Sequence, residues 1–180
     1  MTVGDGMLQI QLMTPADVEP VAAAFRAEGL NKTVEQLRGY LDEQSEGWRT
    51  ALVAWLGAEV SGYVTICWTP GYPPFKDAGI PEIQDLNVLP SHRRRGVAGR
   101  LMDEAERLVA ERSASAGIGV GLGPDYGPAQ RMYVLRGYVP DAMGSVWRGR
   151  PVGWGDSLTV NDDFVLHLVK ALFRVGAAGT

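Results

Sequence analysis

The sequence predicts an α/β (α+β) fold in which helices flank a central mixed, largely antiparallel sheet of about six to seven strands. Two observations predict it. Short runs with period-two alternation are typical of strands, and longer runs repeat their apolar residues at helical spacing. In chain order these runs give βααβββαβαββ, which is typical of an α/β domain. The 180 residues contain no repeat and no long linker, so we expect a single domain over residues 1–180.

The first half of the chain contains a strand, two helices and a hairpin. Thr14 and Pro15 are typical N-cap and first-turn residues, and Gly29 is typical of a helix end. A short turn joins two β-rich runs, which indicates an antiparallel pair. The predicted elements are a strand at 8–12, helices beginning at Thr14 and at Thr33, and strands at 50–56 and 60–68.

The second half of the chain contains a strand at 82–89 that is followed by the longest predicted helix, at 96–112. The apolar residues Ile83 and Leu86 are three apart, whereas a strand requires a spacing of two, so we predict a β-bulge between them. The segment 69–75 is rich in proline and aromatic residues and is predicted to be irregular. The predicted elements are strands at 82–89, 118–122, from 138 and at 164–169, and helices at 96–112 and 128–136.

The composition excludes several classes of function. A net charge of −4 and a pI of 5.2 argue against nucleic acid as a partner. Cys67 is the single cysteine, so an intramolecular disulfide is excluded, and with only two histidines we predict no metal site. The N-terminus has no secretory signal pattern and no run is long enough to span a membrane. We therefore expect a soluble, cytoplasmic protein that has no membrane partner.

Three consecutive arginines stand where the longest predicted helix begins. Basic side chains are unfavourable beside the positive end of a helix dipole unless an anion is bound there. Gly96, Ala98 and Gly99 carry little or no side chain to keep an anion away from the helix N–H groups. Arg93–Gly99 thus has the features of a phosphate-binding turn. The alternative is a solvated basic turn.

Two motifs in this part of the chain resemble the GNAT superfamily of acyl-CoA-dependent N-acetyltransferases. A strand containing Leu86-Asn87-Val88 precedes Arg93-Arg94-Arg95-Gly96-Val97-Ala98, which fits the family pattern Arg/Gln-x-x-Gly-x-Gly/Ala before a long helix. Ala129, Tyr133 and Gly137-Tyr138 fit a second family element that follows a later strand. These motifs cover about residues 82–140, which we expect to form the acyl-CoA-binding core.

The resemblance implies how acetyl-CoA is bound. Backbone N–H groups of the turn would hold its pyrophosphate, and the backbone of Leu86, Asn87 and Val88 would pair with the pantetheine arm. Tyr126 occupies a position where the family often has an asparagine that contacts the cofactor, and we expect Tyr126 to line the cleft. The predicted cofactor-binding residues are Leu86, Asn87, Val88, Arg93, Arg94, Arg95, Gly96, Val97, Ala98, Gly99 and Tyr126.

The resemblance also implies two catalytic residues. Glu82 is placed where several family members have their general base, with Asp85 or a water relay as alternatives. Tyr133 matches the tyrosine that protonates the CoA sulfur. From the residues alone, Glu82 could equally be a solvated strand-edge carboxylate, and Tyr133 could simply fill a helix–sheet interface.

Other features leave alternatives open. Gly117, Gly119 and Gly121 give one strand a bare glycine face, which indicates either a ligand or a packed element close to the backbone. The segment 68–75 is a candidate for a substrate wall or lid, with ordinary packing or a dimer contact as equal alternatives. The segment 144–157 is a candidate for part of the acceptor site or for a dimer surface. His92 is expected in a solvated turn, and His167 as a structural strand residue.

The sequence therefore predicts an N-acetyltransferase that moves an acetyl group from acetyl-CoA to a primary amine by direct attack in a ternary complex. The acceptor, a small molecule or a peptide, is not indicated. Two alternatives remain: a non-catalytic acyl-CoA sensor of the same fold, and a nucleotide-phosphate binder. A homodimer is also open.

Overall fold

The computed structural model describes residues 7–172 of the 180 in the chain. Its helices are α1 Val18–Ala27, α2 Val34–Ser45, α3 Pro73–Ala78, α4 Val97–Arg112 and α5 Gly127–Leu135. Its strands are β1 Leu8–Leu12, β2 Arg49–Leu56, β3 Glu59–Cys67, β4 Glu82–Val88, β5 Ser115–Gly121, β6 Val139–Trp147, β7 Arg150–Pro151 and β8 Phe164–Ala171. Single 3-10 turns lie at Pro15–Asp17, Pro90–His92 and Pro124–Tyr126.

The chain forms two compact units, and the first comprises Met1–Trp68 and Ile83–Leu108. Its strands follow the order β1-β2-β3-β4, and β2 pairs antiparallel with both β1 and β3. The apolar residues of α1 and α2 recur at helical spacing, so each helix has an apolar face, and these faces pack on β3 and β2. This core contains Met13, Val18, Val21, Ala22, Phe25, Leu37, Ala51, Val53, Val60, Tyr63 and Leu89.

The second unit comprises Thr69–Glu82 and Val109–Thr180. Its strands follow the order β5-β8-β6-β7, and β8 pairs antiparallel with both β5 and β6. Gly119 of β5 lies directly opposite His167 of β8 in this register. That pairing brings a glycine and a histidine to the same point, which matters for the site described below.

The predicted α/β (α+β) class with largely antiparallel pairing is confirmed, as are the strands and helices that the sequence places. Eight strands are present among the described residues, where six to seven were predicted, because Arg150–Pro151 forms a two-residue strand against the end of β6. The prediction of an irregular segment at 69–75 is wrong in part, since α3 begins at Pro73. Pro73 and Pro74 fit the first helical turn, where a missing N–H costs no hydrogen bond.

The strand β4 departs from regular geometry at the place where the apolar spacing predicts a bulge. Asp85 has a φ of 50°, in the left-handed region that residues other than glycine rarely adopt. Such a backbone costs of order 1–3 kcal/mol unless neighbouring contacts hold it. The contacts of Asp85 are therefore of interest for the site.

Three further findings concern membrane spans, groups of metal-ligating side chains and His92. No helix within residues 7–172 has the length and apolar character of a membrane span. No group of three or more metal-ligating side chains occurs in that same part of the chain. The expectation of a solvated His92 is wrong, because the side chain is buried and its Nε2 lies 3.5 Å from Glu59 Oε2.

Candidate active site

The arginine turn, Arg93–Gly96, leads into α4 through two left-handed residues. Gly96 has a φ of 81°, which glycine adopts without steric cost, and Arg94 has a φ of 58°. Arg100 N donates to Gly96 O over 3.1 Å, so the N–H groups of Val97 and Ala98 lie ahead of the helical hydrogen bonds. Alternation of handedness before a helix turns successive N–H groups toward one concave surface.

The surroundings of this turn are open and positively charged. A Cβ added to Gly96 or Gly99 would meet no heavy atom within 4 Å. The side chains of Arg93, Arg94 and Arg95 are exposed. A negatively charged group carrying several oxygens fits this arrangement, since helix N–H groups and guanidinium groups both donate to phosphate.

Residues before the turn fix it to the rest of the first unit. Ser91 N donates to Glu28 Oε2 over 3.1 Å, and Ser91 Oγ is hydrogen-bonded to the same carboxylate. These bonds lower the pKa of Glu28, helped by the charges of His92 and Arg93 against the opposing effect of desolvation. Arg93 Nε also lies 3.4 Å from Val88 O. The turn is thus anchored to α1 and to the end of β4.

The end of β4, containing Leu86, Asn87 and Val88, is half-buried. Gly62 of β3 packs against it so closely that an added Cβ would lie 2.5 Å from Asn87 O. Glycine at this position of β3 is therefore required by the approach of the β4 backbone. The predicted pantetheine-binding segment thus has one neighbour strand at very short range.

Asp85 is held by donors from several elements of the first unit. Lys32 Nζ lies 2.7 Å from Oδ1, and the hydroxyls of Tyr40 and Tyr63 donate to Oδ2 over 2.7 and 2.6 Å. Asn87 Nδ2 donates to Oδ1 over 2.7 Å and Gln36 Nε2 to Oδ2 over 3.3 Å. Five donors on one carboxylate also explain how the left-handed backbone of Asp85 is maintained.

These contacts set the charge of Asp85. Burial raises the pKa of its carboxyl, but the bonds from Lys32 and Tyr63 and the lysine charge outweigh burial and hold the pKa below its usual value. A carboxylate stabilised in this way is a weak proton acceptor. Sequence reasoning missed Lys32, Gln36, Tyr40 and Tyr63, because they lie on separate elements and no motif links them.

Glu82, the first residue of β4, lies in the second unit and is buried, with 6% of its surface exposed. The alternative of a solvated surface carboxylate is therefore wrong. Its Oε1 lies 3.1 Å from the point that a Cβ on Gly119 would occupy, and His167 Nε2 lies 3.4 Å from the same point. The carboxylate of Glu82 and the imidazole of His167 thus both border the space beside Gly119, which has no side chain to fill it.

An aromatic group surrounds His167. Tyr72 stacks on its ring with centroids 3.5 Å apart and planes 3° from parallel, and Phe75 meets it edge-on at 5.4 Å. The Tyr72 hydroxyl donates to Asp141 Oδ2 over 2.7 Å. Burial, then this bond and the negative charges of Asp141 and Glu82, raise the pKa of Tyr72. Tyr72 is thus held in place at both ends, by its ring on His167 and by its hydroxyl on Asp141.

The bare glycine face of β5 is covered by side chains of the protein itself. A Cβ on Gly117 would lie 2.3 Å from the Phe75 ring, and a Cβ on Gly121 would lie 2.4 Å from the Tyr126 ring. Of the two explanations that the sequence left open, packing within the chain is therefore the one observed at Gly117 and Gly121. The Tyr126 hydroxyl also donates to Asp162 Oδ1 over 3.0 Å.

Tyr133 is carried by α5 and is buried, with 7% of its surface exposed. Its ring meets Tyr138 edge-on at 5.9 Å. Burial, followed by the nearby charge of Tyr126, raises the pKa of Tyr133 to about 12. The phenol therefore keeps its proton throughout the neutral range, where it can act as a general acid but not as a general base.

The sequence model of the family described as "Acetyltransferase (GNAT) family" matches residues 19–138. This range is more than half of the chain, and it contains both the arginine turn and the α5 motif with Tyr133. The chain belongs to the GNAT acetyltransferase family. It is therefore an acetyltransferase of the N-acetyltransferase superfamily, and family membership implies the use of acyl-CoA. No curated protein matches the chain.

Several solved structures of N-acetyltransferases have the same fold. An N-acetyltransferase from Staphylococcus aureus Mu50 has a TM-score of 0.70 at 13% identity over 93% of this chain and 100% of its own. A ribosomal-protein-alanine N-acetyltransferase from Brucella melitensis has a TM-score of 0.67 at 17% identity over 91% and 99%. A spermidine N-acetyltransferase SpeG chimera from Vibrio cholerae and hSSAT has 0.65 at 13% over 92% and 95%.

The segment 144–157 forms a concave surface within the second unit of this GNAT protein. Its cavity has a volume of about 250 Å³ and is lined by Trp147, Arg150 and Asp156, among others. Trp154 beside it is fully exposed. The two predictions for this segment, an acceptor surface or a dimer contact, both stay predictions.

Proposed function

We propose that this GNAT protein transfers an acetyl group from acetyl-CoA to a primary amine of a small molecule or peptide by direct attack in a ternary complex. The arginine turn would bind the CoA pyrophosphate, and the backbone of Leu86–Val88 would pair with pantetheine. Glu82 would act as general base and Tyr133 as general acid. The observation that carries the proposal is the basic turn with left-handed Gly96 at the beginning of α4.

The turn supports a diphosphate ligand for electrostatic reasons. Three exposed guanidinium groups beside a positive helix end repel each other and the dipole when no anion is bound. A bound pyrophosphate would attract each of these positive groups and so offset their repulsion. The open space at Gly96 and Gly99 leaves room for phosphate oxygens to reach the backbone donors.

The acceptor must lose a proton before it attacks. An alkyl ammonium has a pKa of about 10 and is nearly all protonated at neutral pH. Glu82 would take this proton, leaving the electron pair on the nitrogen to attack the thioester carbonyl. Its burial supports the role, because a general base must be held at a fixed place within reach of the acceptor and not in bulk solvent.

The departing thiolate must gain a proton when the carbon–sulfur bond breaks. Tyr133 would donate it from its hydroxyl, and solvent would restore the phenol. The raised pKa of Tyr133, about 12, supports a donor that is protonated at every working pH. The nitrogen loses a second proton to solvent as the tetrahedral intermediate collapses, so the overall reaction yields the amide, free CoA thiol and one net proton released to water.

A binding experiment tests the first half of the proposal. Isothermal titration calorimetry with CoA should show binding to the native protein and a loss of about tenfold or more in Arg95→Ala, since charge-assisted hydrogen bonds to phosphate are among the stronger polar contacts. Arg112→Ala is the matched control, because Arg112 is exposed at the opposite end of α4, about 24 Å away by helix rise. Equal loss in both variants, or no CoA binding at all, would contradict it.

An activity experiment tests the second half. Acetyl-CoA is offered with a panel of amines, and thiol release is followed at pH 8. The similar solved structures include a ribosomal-protein-alanine N-acetyltransferase and a spermidine N-acetyltransferase chimera, so the panel includes alanine-ended peptides and polyamines. We expect product with at least one amine and its loss in Glu82→Gln and Tyr133→Phe.

The same pair of experiments separates the alternatives. Tight CoA binding without turnover on any amine would favour a non-catalytic acyl-CoA sensor. Preference for ATP or NAD over CoA would favour a nucleotide-phosphate site. The fold itself does not decide between them, because one fold hosts several functions.

A further inference from the structure

His167 is a buried titratable side chain to which neither the family motifs nor the proposed mechanism gives a role. Only 6% of its surface is exposed. Its Nδ1 is buried and has no hydrogen-bond partner within the described residues 7–172. The other nitrogen, Nε2, lies 3.4 Å from the Cβ position of Gly119, where Glu82 Oε1 also lies within 3.1 Å.

The lone Nδ1 indicates which nitrogen carries the proton. A buried N–H without an acceptor costs about 1–3 kcal/mol. A buried ring nitrogen whose lone pair has no donor costs less free energy. The neutral ring therefore carries its hydrogen on Nε2. That hydrogen is on the side of the imidazole that faces Gly119, whose Cβ position also lies near Glu82 Oε1.

The groups around His167 favour this neutral ring. Burial lowers the pKa of His167, and the negative charge of Asp141 raises it by less. The titratable groups that face the ring are Tyr72, stacked on it, Asp141 beyond the Tyr72 hydroxyl, and Glu82 across Gly119. Phe75 adds an apolar edge. A neutral donor beside a buried carboxylate lowers the cost of the carboxylate charge.

We propose that His167 is a positioning residue that presents its Nε2–H toward Glu82 and keeps this carboxylate ionised and oriented as the base. The inference rests on the proposed role of Glu82 in acetyl transfer. His167 itself exchanges no proton with the acceptor. Gly119 belongs to the same arrangement, because a Cβ there would crowd both the carboxylate and the imidazole.

Nuclear magnetic resonance tests the arrangement without any turnover. The chain has only two histidines, so ¹⁵N-histidine spectra of the native protein are assigned with His92→Gln. We expect His167 to be the Nε2–H tautomer at pH 7, with a pKa that falls by about 0.5 or more in Glu82→Gln, since removing a nearby negative charge disfavours the imidazolium. An Nδ1–H tautomer, or a pKa unchanged in Glu82→Gln, would overturn the proposal.

Two substitutions test the effect on catalysis. Glutamine places an N–H donor where histidine has Nε2, whereas asparagine reaches only the position of Nδ1. In the pH profile of kcat/KM, we expect the acid limb to rise by about one pH unit in His167→Asn, since loss of a donor makes the carboxylate easier to protonate. His167→Gln should keep the native limb. Identical profiles for both variants, or an equal shift in both, would overturn the inference.

The two readouts distinguish this inference from the proposed function. Suppose that no amine is acetylated, but His167 is the Nε2–H tautomer and its pKa falls in Glu82→Gln. The proposed arrangement of His167 and Glu82 is then upheld, and the role of Glu82 as base fails. If turnover occurs and depends on Glu82 but the tautomer is Nδ1–H, the proposed function is upheld and the inference fails.

Discussion

The hydroxyl of Tyr63 donates a 2.6 Å hydrogen bond to Asp85 Oδ2, which joins the centre of β3 to the left-handed residue of β4. Tyr63 is fully buried, and burial together with the charge of Asp85 raises the pKa of its phenol. Lys32 lies over the Tyr63 ring at 5.8 Å from its centroid while pairing with the same carboxylate. The irregular backbone of β4 thus depends on one charged cluster.

The Asp85 cluster should make stability fall in acid. The pKa of Asp85 is lower in the folded protein than the ordinary 3.8, so the contribution of its carboxylate is complete above the unfolded pKa and is lost as pH falls through the folded pKa. Tyr63→Phe should cost about 1.5–3 kcal/mol at pH 7, the usual worth of a hydrogen bond to a charged group. Urea unfolding of the native protein at pH 7 and pH 3 measures the loss of stability in acid, and urea unfolding of Tyr63→Phe at pH 7 measures the cost of the substitution.

The matched control for this prediction is Asp85→Asn. It removes the charge but keeps the shape, so the difference between pH 7 and pH 3 should shrink in this variant. A native-like difference in Asp85→Asn would mean that another carboxylate carries the acid sensitivity.

Glycine substitutions should separate close packing from open space. Gly117→Ala places a Cβ 2.3 Å from the Phe75 ring, and overpacking of this kind costs about 1–3 kcal/mol. Gly39→Ala in α2 meets no atom within 4 Å and should stabilise by about 0.5–1 kcal/mol, the helix preference for alanine. Thermal unfolding of the two variants gives the comparison, and a stable Gly117→Ala protein would contradict the packing at Phe75.

Much of the fold could be predicted because local patterns agree with the final packing. In α1 the residues Val18, Val21, Ala22 and Phe25 recur at helical spacing, and all four are buried. The helix α3 could not be found in this way, because its six residues are too few for a period and its two prolines are typical of loops as well as of first turns.

The site could be predicted only where a contiguous motif exists. The arginine turn and the Tyr133 motif are local in sequence, so both were found. Four of the five donors around Asp85, and the approach of Glu82 and His167 to Gly119, bring together residues that are distant in the chain, and no local spacing encodes such an arrangement. For the same reason Asp85 could not be recognised as an ion-paired residue from its strand alone.

Substitution of Gly62 should weaken cofactor binding without touching the arginine turn. A Cβ at this position would lie 2.5 Å from Asn87 O and 3.2 Å from Val88 Cα, and both atoms are backbone, so β4 itself must shift. Because we propose that this backbone pairs with pantetheine, the Kd for CoA should rise in Gly62→Ala. The fragment adenosine 3′,5′-diphosphate, which lacks pantetheine, is the control ligand and should bind as it does to the native protein.

The raised pKa of Tyr133 leads to a prediction about the alkaline range. A tyrosine with the ordinary pKa of 10 would be half ionised at pH 10, whereas Tyr133, at about 12, stays protonated. The kcat of the native enzyme should therefore show no alkaline decline from this residue between pH 7 and pH 10. Tyr133→Phe should lower kcat by about 10²-fold, the usual contribution of a general acid, with little change in the Kd for CoA.

The control for Tyr133 is its neighbour Tyr138, whose ring lies 5.9 Å away at the end of the same motif. Tyr138→Phe removes an equivalent hydroxyl from the same buried aromatic pair, so a general loss of packing would affect both variants alike. We expect kcat of Tyr138→Phe to stay within a few-fold of the native value. Equal losses of kcat in the two variants would remove Tyr133 from the proposed mechanism, because the proton must then come from another donor. A decline of native kcat centred near pH 10 would contradict the raised pKa of Tyr133.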